Sequence, residues 1–319
     1  MKIVVIGTGA FGVPTFEALY RTPYEIAALV TQPKPETRRP LPTPEMVQLA
    51  EAHGTPIHTF ADIKSPEAVA ALWNFHADLF FICDYGQILS QEGIRAARLG
   101  GLNLHGSLLP KYRGAAPVNW ALYHGDKTAG ITVIYITPEV DAGPMIASAS
   151  LEVGPDETAP ELEKRLARLG APCVVQAVDE LARDEAVQNH AVPQDASLAC
   201  GAPKLKRRHS TIDWSQSAQQ IHNQIRALEP WPRTITFWKK SPDKPALRLI
   251  PLPKTQVLDG PANEVPGTVL AVGETLQVAT GDGILAISHL QPSGKKALTL
   301  PEFLCGNPMR VGDRLFSEE

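Results

Sequence analysis

Short apolar runs alternate with amphipathic stretches through the first half of the chain. Runs at 2–6, 26–31, 78–83, 101–105 and 130–136 are bounded by Gly, Pro or polar residues, and they predict strands. The stretches between them predict helices at 13–21, 43–53, 66–76, 88–98 and 116–124, followed by a longer one at 157–184. This alternation predicts a parallel α/β sheet with helices on both faces. Residues 185–213 break the pattern. They are polar, contain Pro193 and Pro203, and carry the basic run Lys204, Lys206, Arg207 and Arg208, which reads as an interdomain linker. After a helix at 216–228, short β-type runs at 234–239, 246–250, 266–272, 275–280 and 283–290 lie in a Pro- and Gly-rich background. Strands of that length and spacing predict a small barrel or sandwich. The expected division is a first domain at 1–189, a basic linker at 190–213 and a second domain at 214–319.

Composition agrees with two folded domains in 319 residues: 44% of positions are hydrophobic and 20% charged, which excludes wholesale disorder. No apolar run approaches the roughly 18 residues of a membrane span. The chain opens on the strand-like Lys2–Ile6, so neither signal nor transit peptide is expected, and a soluble cytoplasmic protein is. Cys83, Cys173, Cys200 and Cys305 lie far apart with no Cys-x-x-Cys, which argues against a disulfide framework or zinc knuckle. The net charge of −4 hides an asymmetry. Residues 1–190 hold 15 basic and 22 acidic side chains, residues 191–319 hold 15 and 12, and 201–250 alone hold ten and three. A basic half on an acidic half suits a polyanion-binding appendage, although a solvated basic face gives the same count.

Gly7-Thr8-Gly9-Ala10-Phe11-Gly12 fits G-x-G-x-x-G between a strand and a helix, the pattern of a dinucleotide site. The acidic residue that would hold a ribose is missing, because the second strand ends Val30-Thr31-Gln32-Pro33. The glycines are therefore expected to serve a tight turn and helix–sheet packing rather than a nicotinamide. The richer segment is Gly101-Leu102-Asn103-Leu104-His105-Gly106-Ser107-Leu108-Leu109-Pro110. Strand alternation puts Asn103 and His105 on one face near the carboxyl end of a strand, where open α/β sheets bind ligands. Asn can donate to a developing oxyanion, and His can exchange a proton near neutral pH. Asp141 follows the run Ile131–Ile136 and precedes Ala142-Gly143; if the two strands are neighbours, its carboxylate could orient and charge-stabilise His105. The nine histidines include no His-x-x-x-His, so no metal is expected.

The segment from Asn103 to Trp120, NLHGSLLPKYRGAAPVNW, resembles the signature of the 10-formyltetrahydrofolate-dependent formyltransferases. The resemblance implies that Asn103, His105 and Asp141 form the catalytic trio. Tyr85-Gly86-Gln87-Ile88-Leu89 resembles the folate-side loop of that family, and with Ser107, Leu108, Leu109 and Pro110 it is the implied donor site. Pro203-Lys204-Leu205, Ile212-Asp213-Trp214, Pro230-Trp231-Pro232 and the run from Leu290 to Lys296 are similar to the members that formylate initiator methionyl-tRNA. The chain departs from the family in two places. Cys83-Asp84 stands where small or apolar residues are usual, and the loop after Pro33 is short and Pro-rich.

The resemblance implies an α/β fold: a Rossmann-like formyltransferase domain followed by a smaller β-rich, OB-like barrel. It implies a monomer that takes 10-formyltetrahydrofolate as donor and initiator methionyl-tRNA as acceptor, with no metal and no membrane. The expected tRNA contacts are Lys34, Arg38, Arg39, Lys111, Arg113, Lys204, Lys206, Arg207 and Arg208. Three rivals remain at this point. A formyltransferase for a small amine, such as a purine precursor or nucleotide amino sugar, would explain the first half alone. A nicotinamide oxidoreductase would explain the glycine loop, and a non-catalytic RNA-binding protein would explain the basic half.

Overall fold

A computed structural model describes residues 1–34, 42–261 and 263–317, with the side chains of 187 and 189 excepted. It divides into two compact units. The first comprises Met1–Pro117, Thr128–Glu152 and Glu163–Pro203, and the second comprises Val118–Lys127, Val153–Leu162 and Lys204–Glu319.

The first unit is built on a seven-stranded sheet. Its strands are β1 (Lys2–Gly7), β2 (Glu25–Thr31), β3 (Ile57–Thr59), β4 (Leu79–Cys83), β5 (Gly101–His105), β6 (Thr128–Tyr135) and β7 (Met145–Glu152), in the order β3-β2-β1-β4-β5-β6-β7. Strands β3 to β5 pair in parallel. The central strands β1 and β4 are buried along nearly their whole length, which is why they read as continuous apolar runs. The helices that accompany the sheet are α1 (Val13–Leu19), α2 (Glu45–Ala52), α3 (Pro66–Asn74), α4 (Gln91–Arg95) and the later part of α6 (Ala159–Arg183). Ser65 and Ser90 cap α3 and α4 by accepting from Ala68 N–H and Gly93 N–H. Chain order reverses between β1 and β4, the place where doubly wound sheets open a crevice at their carboxyl ends.

The sheet is not parallel throughout, as the alternation had predicted. Both β5–β6 and β6–β7 are antiparallel. No crossover helix separates β6 from β7, so the chain returns directly after a short loop. That loop carries Asp141. The expected linker is also divided. Residues up to Pro203 belong to the first unit, and the second resumes at Lys204. Val192 bridges to Met145 and Gly201 bridges to Arg113, so main-chain hydrogen bonds hold this polar stretch against the first sheet.

The second unit contains α5 (Pro117–His124, from Val118 onward), α7 (Ala218–Ala227), α8 (Leu300–Gly306) and two antiparallel sheets. The strands are β8 (Thr236–Trp238), β9 (Leu247–Pro251), β10 (Thr255–Leu258), β11 (Val269–Val272), β12 (Leu276–Ala279), β13 (Ile284–Ile287), β14 (His289–Pro292), β15 (Leu298–Thr299) and β16 (Leu315–Phe316). They pair as β10-β13-β12-β11 and β15-β14-β9-β8-β16. Only Ser288 separates β13 from β14, so the chain passes from one sheet to the other at a single residue. Ile212, Trp214, Ile221, Trp238, Leu249, Leu285 and Phe303 fill one core inside the two sheets, as a β-rich barrel domain requires. Capping boxes start α7 (Ser217 with Gln220) and α8 (Thr299 with Glu302).

Candidate active site

Strand β5 sorts its side chains by alternation. Leu102 and Leu104 are buried on one face, and Leu104 meets α6 where Gly170 lacks a side chain. Asn103 and His105 share the opposite face, Asn103 half-buried and His105 buried. His105 Nε2 lies 2.9 Å from the Tyr112 carbonyl oxygen. A carbonyl only accepts, so Nε2 carries the hydrogen of the neutral ring, and Nδ1 is the atom left to gain or lose a proton. Nδ1 stands 3.6 Å from Asp141 Oδ2.

Asp141 gathers the rest of the site. Its Oδ1 accepts from Asn103 Nδ2 at 3.3 Å and its Oδ2 accepts from Gly114 N–H at 2.9 Å. Asp141 has φ +50°, in the left-handed region that few non-glycine residues adopt. Gly114 has φ +127°, and a Cβ there would approach the Ala202 carbonyl oxygen to 2.6 Å; only glycine can deliver that N–H. The carboxylate fixes the Asn103 amide with Nδ2 toward Asp141, and Nδ2 keeps a second hydrogen for another acceptor. A carboxylate, an imidazole and an amide donor thus meet at one strand end, the equipment of acyl transfer to an amine.

The glycine loop beside β4 is occupied by the protein itself. Thr8 N–H and Gly9 N–H both donate to the Asp84 carbonyl, at 3.2 and 3.3 Å. A Cβ on Gly9 would fall inside the Asp84 carboxylate, and one on Gly7 would meet the Cys83 carbonyl oxygen at 2.5 Å. These glycines admit chain packing at the place where a Rossmann loop would admit a pyrophosphate. Asp84 is itself left-handed, at φ +48°. It keeps solvent access, yet the protein around it raises its carboxyl above the usual range. Burial raises the Glu163 carboxyl too, with the Asp84 charge adding to it. Asp84→Asn is therefore expected to stabilise the fold at pH 7 to 8, where the wild-type carboxylate is ionised at a cost. The gain should fade as pH falls through the folded-state value and vanish below about pH 3.9, where the side chain is protonated in both folded and unfolded chains. Urea titrations across that range will check the sign; a variant less stable than wild type at pH 7.5 contradicts it.

The residues expected to hold the donor separate into two groups. Tyr85, Leu89, Ser107 and Leu109 are buried. Ser107 Oγ donates to the Lys111 carbonyl at 2.6 Å, and Gln87 spends its amide on Ile63 N–H and the Ala61 carbonyl. Gly86 and Ile88 are exposed, and Leu108 and Pro110 are half-buried. Of the expected tRNA contacts, Lys111, Lys204, Lys206, Arg207 and Arg208 are exposed, and Lys34 reaches Thr43 Oγ1 at 3.4 Å. Arg113 directs Nε and one terminal nitrogen to Gln194 Oε1, at 2.9 and 2.6 Å. Arg38 and Arg39 lie outside the described residues. The sequence reading missed Gly114 N–H, the Tyr112 carbonyl and Gln194. The first two act through main-chain atoms that leave no mark in a side-chain pattern. Gln194 sits in a stretch whose polarity looked like a linker.

Comparison with known proteins agrees with this geometry. Residues 1–178 match the family described as formyl transferase, and residues 204–308 match the formyl transferase C-terminal domain. A methionyl-tRNA formyltransferase from Rhodopirellula baltica is 39% identical over 327 aligned residues, covering 99% of this chain and 97% of the relative. One from Acetivibrio thermocellus is 38% identical, covering 99% of each. Among solved structures, the sugar 3N-formyl transferase WlaRD aligns with TM-score 0.65 at 16% identity, over 93% of this chain and 99% of that one. HypX from Aquifex aeolicus, solved in complex with tetrahydrofolic acid, aligns with TM-score 0.61 at 17% identity, over 98% of this chain and 48% of that one. At those identities the likeness is one of fold. The two family matches and the full-length kinship place the chain in the formyl transferase family, among the methionyl-tRNA formyltransferases.

Proposed function

We propose that this chain transfers the formyl group of 10-formyltetrahydrofolate to the α-amino group of methionine on initiator methionyl-tRNA, giving N-formylmethionyl-tRNA for translation initiation. The observation that carries the reading is the convergence of Asn103, His105 and Asp141 at the end of β5, in a chain with full-length kinship to such enzymes. The donor supplies an activated formyl carbon. Asn103 Nδ2 donates its spare hydrogen to the oxygen on which negative charge develops, and His105 Nδ1 takes a proton from the attacking amine and returns one toward the leaving side. Asp141 holds both partners, with Oδ1 on the Asn103 amide and Oδ2 3.6 Å from His105 Nδ1.

Gly86, Ile88, Leu108 and Pro110 would hold the donor, with Tyr85, Gln87, Leu89, Ser107 and Leu109 shaping the loops from behind. The fit rests on exposed apolar surface and on Gly86, where φ is +81° and a Cβ would crowd Gln32 Nε2 at 2.8 Å, so the loop presents bare main chain there. The reading makes the protein a cytoplasmic monomer, working where charged tRNA is found. Among the described residues no helix is long and apolar enough to cross a membrane.

Incubation of purified protein with the folate donor and charged initiator tRNA, in parallel with free methionine, an amino-sugar nucleotide and a purine-precursor amine, tests the assignment. Formylation of the tRNA alone supports it, whereas preference for a small amine transfers the site to the rival chemistry. The exposed cluster Lys204, Lys206, Arg207 and Arg208 supplies a second check. The first half of the chain is acidic, so favourable encounter with a polyanion must come from elsewhere. Replacing all four by Gln is expected to weaken tRNA binding and to flatten its log–log salt slope by about 0.7 to 0.9 for each phosphate no longer neutralised. Turnover at saturating tRNA should change little. A slope equal to that of wild type means the cluster touches no phosphate.

A further inference from the structure

We infer that Gln194 is a positioning residue for formyl transfer, a clamp that sets Asp141 from one end of its amide and the loop after β5 from the other. The inference rests on the function proposed above and goes beyond it, since Gln194 acts on the site through Asp141 and Arg113. Its Nε2 donates both hydrogens, to the Asp141 carbonyl at 2.8 Å and the Gly143 carbonyl at 2.8 Å. Its Oε1 accepts from Arg113 Nε at 2.9 Å and from a terminal guanidinium nitrogen at 2.6 Å. Two carbonyls face one end of the amide and two N–H donors face the other, so only one amide orientation satisfies all four bonds.

The two segments so joined both need holding. The Asp141 backbone is left-handed, and such backbone persists where its surroundings over-determine it. Two of the groups that do so are the carbonyls of Asp141 and Gly143, pinned on a single amide nitrogen. Arg113 lies between Tyr112, whose carbonyl holds His105 Nε2, and Gly114, whose N–H holds Asp141 Oδ2. The neighbouring backbone closes the same loop. Arg113 N–H donates to the Cys200 carbonyl at 2.9 Å, Ala202 N–H donates to the Arg113 carbonyl at 2.7 Å, and Tyr112 N–H reaches Cys200 Sγ at 3.3 Å. The stretch that composition marks as a linker is thus a strap across the catalytic loops, with the Gln194 side chain bonded to both. Reacting groups displaced by about 1 Å lose on the order of 10²-fold in rate, so the strap bears on chemistry as well as on stability.

The test uses the full chain with Gln194→Met, which keeps length and removes every bond, and Gln194→Glu, which keeps the acceptor for Arg113 but turns lone pairs toward the two carbonyls. Both are expected to lower kcat about 10- to 100-fold with the KM for the folate donor within about twofold of wild type. Combined with Asp141→Asn, Gln194→Met should add less than its own full loss, because one arm of the clamp acts through a group already disabled and only the Arg113 arm is left to lose. Losses that multiply, or a Gln194→Glu variant with wild-type kcat, overturn the clamp. A wild-type protein that formylates no offered amine speaks against the functional reading instead. In that case a crystal structure of Gln194→Met decides the clamp by itself: Asp141 leaving φ near +50° supports it, and an unmoved Asp141 refutes it.

Discussion

His105→Ala is expected to lower the rate of formyl transfer by about 10²- to 10⁴-fold, the range that a positioned proton carrier contributes. The amine must lose a proton when it attacks, and the leaving nitrogen must gain one, so the same group serves twice. In the neutral ring Nε2–H is committed to the Tyr112 carbonyl at 2.9 Å, which leaves the working lone pair on Nδ1, 3.6 Å from Asp141 Oδ2. Deleting the imidazole removes that lone pair and strips the Tyr112 carbonyl of a donor, for which a stability loss of about 1–3 kcal/mol is expected. Turnover therefore has to be compared at a temperature where both proteins are folded, with single-turnover rates at saturating donor and charged tRNA. His105→Gln separates the two effects, since its amide can still donate toward Tyr112 but cannot carry a proton. It should recover stability and not rate. A His105→Gln protein turning over within a few-fold of wild type would remove the acid–base role.

The residues gathered at the end of β5 were legible in the sequence to different degrees. Asn103 and His105 showed through the two-residue alternation of a buried strand, which places polar side chains on one face whatever the neighbouring strands do. Asp141 was legible only as a carboxylate after an apolar run. Its arrival at Asn103 depends on β6 running antiparallel to β5, and strand direction is not encoded in hydrophobic periodicity. Strand β7 escaped for a related reason. Met145–Glu152 is rich in small residues and mostly half-buried or exposed, so it never forms an apolar run. The strap at 192–202 has the polar sequence of a linker because it buries little, yet main-chain hydrogen bonds and the Gln194 amide hold it against the loops. The glycine loop illustrates the converse, a strong motif whose anion seat is taken by Asp84, far along the chain.

Asn103→Ala is expected to cost about 10²- to 10³-fold in kcat, the effect of deleting one preorganised donor to a developing oxyanion. The expected loss falls on kcat and not on the KM of either substrate, because the donor strengthens its bond only as charge develops on the oxygen. The 3.3 Å bond from Nδ2 to Asp141 Oδ1 raises an alternative: that Asn103 serves only to hold Asp141 in place. Asn103→Asp asks whether charge at this position reaches the transition state, directly or through Asp141. It keeps the shape of the side chain, but it puts a second carboxylate against Asp141, and two such groups sharing a site cannot both ionise freely; the pair should hold one proton to higher pH than an isolated carboxylate would. While that proton is held, its one O–H can turn to the substrate oxygen or to Asp141, but not to both. Once it leaves, the site confronts a developing negative charge with two existing ones. Relative to Asn103→Ala, the Asn103→Asp protein should therefore be the faster at low pH and the slower at high pH, so that the ratio of the two rates crosses unity. A ratio that stays flat from pH 5 to pH 9 would mean that charge at position 103 is indifferent to the transition state, and the oxyanion role would have to pass to another donor.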